Sequence, residues 1–131
     1  MTVSEALINW LTEYDSNDID TDLLGASTTS YALTKEPTIN IKRYLSGRTE
    51  RTEYYQFTAR LDSQLNEERK LNSEWLENLE KWIEEQKTNN KMPTIEGATV
   101  RDVFISTGYY LGQNAEDNSV YSLTIGIKYT R

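Results

Sequence analysis

Val120-Tyr-Ser-Leu-Thr-Ile-Gly-Ile-Lys-Tyr-Thr-Arg131 alternates strictly: Tyr121, Leu123, Ile125, Ile127 and Tyr129 fall on one face, and Ser122, Thr124, Gly126, Lys128 and Thr130 on the other. Period-two alternation of this length reads as a β-strand with one apolar and one small or polar side. A strand at a chain end is held only when it is paired, because unpaired ends fray. The protein is therefore expected to be organised around a sheet, one side of which faces water or a partner.

Upstream, Val100-Arg-Asp-Val-Phe-Ile-Ser-Thr-Gly-Tyr-Tyr-Leu111 alternates as well, and the turn residues Gly112 to Ser119 return the chain into the closing strand as an antiparallel hairpin. Three more strands are expected at Thr29–Thr34, Thr38–Tyr44 and Thr52–Leu61, with Pro37 interrupting pairing between the first two and Ser46-Gly47 turning between the second and third. On the third, Tyr55, Phe57, Ala59 and Leu61 share a face opposite Tyr54, Gln56, Thr58 and Arg60.

Two helices complete the pattern. Thr2-Val-Ser-Glu5 is a capping box, which predicts a helix from Val3 to Tyr14 with Val3, Leu7, Trp10, Leu11 and Tyr14 on its buried stripe. Asp62-Ser63 can cap a longer one running to about Lys87 or Asn89. Its apolar stripe holds Leu65, Leu71, Trp75, Leu76, Leu79, Trp82 and Ile83, and glutamates cover the remainder. Helix, strands, long helix and hairpin give an α+β order. The simplest layering is a mostly antiparallel sheet with the short N-terminal helix and the long central helix packed on one face, as a single domain spanning residues 1–131.

Composition narrows the chemistry. The 131 residues contain no cysteine and no histidine, which excludes disulfides, Cys/His zinc sites, Ser-His-Asp or Cys-His nucleophiles and any imidazole base. No pair of carboxylates is placed for acid-base work, so the chain reads as a non-enzyme without cofactor or metal. Asp15-Ser-Asn-Asp-Ile-Asp-Thr-Asp22 has the residue types of a calcium loop but lacks the glycine and glutamate an EF-hand needs; it reads as a solvated acidic loop. The net charge of −7 opposes general nucleic-acid binding. No apolar run is long enough to cross a membrane, and the acidic opening reads as no signal peptide.

Two places are candidate partner contacts. The turn Ser46-Gly-Arg-Thr-Glu-Arg51, flanked by Lys42 and Arg43, is a concentrated positive patch in which Arg48 and Arg51 are the candidate residues. Ser122 and Thr124 represent the polar side of the closing strand. Nine tyrosines, several on strands, suit a surface that meets another protein. The alternative is a small-ligand module in which Trp75, Trp82 and strand tyrosines line a cavity between helix and sheet.

The order of elements resembles the small minor capsid, or tail terminator, proteins of long-tailed bacteriophages, also described as tail-completion or head-tail joining proteins. The resemblance runs through Asn9-Trp10-Leu11 in the opening helix, Tyr55-Gln56-Phe57, Trp75-Leu76 and Trp82-Ile83, Lys91-Met92-Pro93, and Ile125-Gly126-Ile127-Lys128-Tyr129. It implies self-association into a ring, commonly of six subunits, that caps the tail tube and joins it to the head-tail connector. It further implies a place in the virion after assembly in the host bacterial cytoplasm. An acidic ring would let DNA pass without specific binding.

Overall fold

The computed structural model describes residues 2–15, 19–22, 24–25, 29–114 and 118–131. In chain order it contains α1 (Val3–Leu11), β1 (Ile19–Thr21), β2 (Ser30–Arg43), β3 (Thr49–Asp62), α2 (Asn66–Thr88), β4 (Thr99–Asn114) and β5 (Asn118–Thr130). The strands form one sheet in the order β1-β2-β3-β5-β4, antiparallel except for the β1–β2 pair. The fold is α+β, with both helices on one face of a mostly antiparallel sheet. Among the described residues no helix is long and apolar enough to cross a membrane.

The closing strand is an interior one. β5 pairs with β3 in an unbroken register from Glu50↔Thr130 to Asp62↔Asn118, and with β4 on its other side. Its apolar residues Leu123, Ile125 and Ile127 are fully buried against Leu7, Leu76, Leu79 and Ile83 of the same core cluster. Burying one such side chain is worth about 1.5–3 kcal/mol, which is why this strand anchors the sheet.

α1 starts as the capping box requires: Glu5 N–H donates to Thr2 Oγ1 (3.1 Å), and the Thr2 N–H donates back to Glu5 Oε2 (3.3 Å). It stops at Leu11 rather than Tyr14, where the ladder tightens into turns from Glu13 N–H to Trp10 O and from Tyr14 N–H to Leu11 O. Tyr14 remains in the packing, its hydroxyl donating to Trp75 O (2.7 Å). α2 starts at Asn66, later than the Asp62-Ser63 cap predicts, because both of those residues serve the sheet. Asp62 is the last residue of β3, and the buried Ser63 hydroxyl accepts from Ser119 Oγ (2.7 Å). The helix start is satisfied by Glu68, whose carboxylate accepts from Leu65 N–H (2.9 Å).

Three strand expectations are corrected. Thr29–Thr34 and Thr38–Tyr44 are a single strand, β2; Pro37 lies in a register slip between Lys35 and Ile39, an edge-strand position where its missing N–H does no harm. β1 lies inside the expected loop Asp15–Asp22, held by parallel pairing of Ile19–Thr21 with Tyr31–Leu33. Within that loop, residues 16–18 lie outside the described residues. The closing hairpin is longer than Val100–Leu111 and its turn shorter than Gly112–Ser119, since β4 runs to Asn114 and β5 begins at Asn118. β4 carries four register irregularities, an edge-strand feature that twists the exposed backbone away from a flat pairing template.

Candidate functional site

The four candidate contact residues do not share a surface. Arg48 is exposed in the turn joining β2 to β3, where Gly47 takes a φ of 88° and its N–H donates to Tyr44 O (3.0 Å). A positive φ is cheap for glycine, and the turn therefore holds the basic tip in place. Arg51 lies on β3 opposite Tyr129, on the helix-covered face. It is half-buried, and its Nε is shielded without a hydrogen bond.

Ser122 and Thr124 point to the opposite face, as the alternation predicts, but they are not outward in the sense of being accessible. Each is only 6% exposed. Larger side chains from the flanking strands close over β5. Thr124 Oγ1 donates to Glu36 Oε1 (3.3 Å), Gln56 Nε2 donates to Tyr110 Oη (3.3 Å), and Tyr54 meets Phe104 edge-on at 6.3 Å. Phe104 lies directly over Gly126, in the space a Cβ would take. The helix-free side is thus a polar and aromatic roof contributed by β2, β3 and β4.

The tryptophans are core anchors. Trp75 stacks on Tyr31 (5.3 Å between ring centres) and Phe57 (6.2 Å), and Trp82 lies 4.8 Å from Trp10. The space left beside Trp75 amounts to about 10 Å³, about the least that holds one water. Among the described residues, the space between Trp75 and the sheet is too small for a ligand.

The electrostatic centre is a residue the sequence reading passed over. Glu53 is 3% exposed. It accepts from Tyr129 Oη at 2.6 Å and Tyr55 Oη at 3.0 Å, and Lys35 Nζ lies at 3.5 Å. Burial pushes the carboxyl pKa up, but the two phenol hydrogen bonds and Lys35 together outweigh it and hold the group below its ordinary 4.5. In turn, burial and the carboxylate raise both phenols, Tyr129 to about 12. An ionised carboxylate engaged on both oxygens is an acceptor clamp joining β2, β3 and β5, and has no proton to give near neutral pH. The clamp floors an open cleft of about 600 Å³ that also reaches Arg51, Glu96 and Arg131. The sequence signal was present: Glu53 extends the Tyr55, Phe57, Ala59, Leu61 face by one more step and puts a charge on an apolar stripe.

Among the described residues, no group of three Asp or Glu side chains could hold a metal ion. Compared with known proteins, the chain matches no family model and no curated protein.

Proposed function

We propose that this protein is a structural assembly subunit, a tail terminator or neck protein of a long-tailed bacteriophage. In this reading it self-associates into a ring, caps the tail tube and joins it to the connector. The observation that carries the reading is the open sheet. The irregular β4 edge is twisted away from pairing, but on the other side β1 covers only Tyr31–Leu33, leaving the distal half of β2 as a bare edge among the described residues. Exposed edges and apolar side chains on a small folded chain are features of subunits completed by a neighbour. The buried carboxylate of Glu53 is fully engaged in holding strands together, which favours a binding role over a catalytic one. The net charge of −7 suits a ring through which DNA passes without adhering.

The test is assembly in the presence of purified tail tubes, followed by electron microscopy and light scattering. A closed ring seated on tube ends is the expected outcome. Protein that stays monomeric and leaves tube ends bare rejects the proposal.

A further inference from the structure

The eight exposed large hydrophobic side chains of the described residues gather towards the two ends of the sheet. Tyr44 and Leu45 lie at the β2–β3 turn end, where Arg43 pairs with Thr49 and Glu50 with Thr130, and Ile41 and Ile39 follow inward along β2, paired with Arg51 and Glu53. Leu65, Leu71, Tyr110 and Leu111 lie towards the other end, where Asp62 pairs with Asn118 and Asn114 with Ser119. α2 starts there and runs back along β4, its Glu80 meeting Tyr109 N–H (3.0 Å) and its Lys87 reaching Asp102 (2.9 Å), so Leu65 and Leu71 stay near the starting end.

The two ends carry opposite charge. From Lys42 to Arg51, Lys42, Arg43, Arg48 and Arg51 stand against Glu50 alone, a net +3. From Asp62 to Glu74, Asp62, Glu67, Glu68 and Glu74 stand against Arg69 and Lys70, a net −2, in a chain that is acidic throughout. The turn end thus sets Tyr44 and Leu45 beside positive charge and the α2-start end sets Leu65 and Leu71 beside negative charge, while Tyr110 belongs to the helix-free face. Strands of 13 to 14 residues hold the turn residues Tyr44 and Leu45 roughly 40 Å from the α2 start at about 3.3 Å per residue, so these two places cannot meet within one chain.

We propose that the β2–β3 turn end of one copy docks on the α2-start end of a second copy. The inference rests on the self-assembling reading above and names the surfaces that reading leaves open. A contact between two different patches is heterologous, and repeated copies either close into a ring or grow as a filament. Leu45 and Tyr44 supply the apolar anchor, beside Leu65 and Leu71 of the neighbour; Arg43 and Arg48 face Glu67 and Glu74.

The absence of native cysteine makes disulfide trapping direct. Leu45→Cys and Leu71→Cys are made separately, both at exposed positions, and mixed at millimolar concentration under mild oxidation, with circular dichroism checking the fold of each. The expected product is a disulfide-linked dimer formed in the mixture and not by either variant alone. Reversing Lys42, Arg43 and Arg48 to Glu in the Leu45→Cys chain should cut its yield at least about tenfold, and reversing Glu67 and Glu74 to Lys in the Leu71→Cys chain, with Glu68 left to cap α2, should restore it. Equal trapping within a single variant overturns the head-to-tail contact in favour of a symmetric one. Rings seen by electron microscopy without the mixed disulfide overturn the contact and leave the ring-forming role standing. Absence of both the disulfide and any assembly on tail tubes overturns the two together.

Discussion

Tyr31 and Leu33, in the first half of β2, are 3% and 0% exposed, whereas Ile39 and Ile41, on the same face of the same strand, are 37% and 40% exposed. Both pairs belong to an apolar-polar alternation, and both face the side on which the helices lie. The difference is cover. α1 and Trp75 roof the first half, and the second is only partly covered. Alternation sets which way a side chain points, and only the tertiary arrangement decides whether anything waits there. Two isoleucines left more than a third exposed on the outer half of an edge strand are the kind of apolar surface on which the proposed assembly role rests.

The contrast between a covered and an uncovered half can be broken most severely by removing what both depend on. Deleting residues 120–131 takes out the interior strand and should abolish cooperative unfolding in calorimetry, with the sheet signal lost in circular dichroism. Next in size, Leu33→Ala in the covered half should cost about 2–5 kcal/mol in urea titration, the range for a fully buried leucine. Gly126→Ala sharpens the comparison on the opposite face. The new methyl collides with the Phe104 ring, so a loss of about 1–3 kcal/mol is expected, and Phe104→Leu in the same chain should recover much of it.

A smaller effect separates the halves at Glu53, where they join. Its folded pKa lies below its unfolded one, so its stabilisation is complete above the unfolded value near 4.5 and disappears as pH falls through the lower folded value. Tyr129 works in the other sense: raised from 10.0 to about 12, it stabilises below pH 10 and loses that contribution as pH rises towards 12. The melting temperature should therefore fall at both extremes. Glu53→Gln should flatten the acid limb, and Tyr129→Phe the alkaline one. Smallest of all, Ile41→Thr should change monomer stability by less than about 0.5 kcal/mol, as exposed substitutions do, and a larger loss would mean that this half is covered after all.

Much of the architecture was legible from side-chain periodicity: the closing strand, the Thr2–Glu5 start of α1, the turn at Gly47 and the placement of both helices on one face. β1 was hidden because three residues, Ile-Asp-Thr, carry no periodic signal, and their pairing depends on β2 being in place. Ser122 and Thr124 were assigned to the correct face but read as accessible, since the reach of Phe104, Tyr110 and Glu36 from other strands is not written in the local sequence. Glu53 was visible as a charge on an apolar face. What it would meet there was not, because Lys35 and Tyr129 lie 18 and 76 residues away and arrive only through strand register.

The packing of Trp10 against Trp82 at 4.8 Å, tilted by 44°, has an optical consequence. Two indoles so close and so inclined couple their electronic transitions, and the pair should give a bisignate band in the far-ultraviolet dichroism. Because one indole belongs to α1 and the other to α2, the band appears only when α1 is seated. The chain thereby carries a built-in gauge of whether its first helix is docked, readable without any label while the rest of the sheet remains folded.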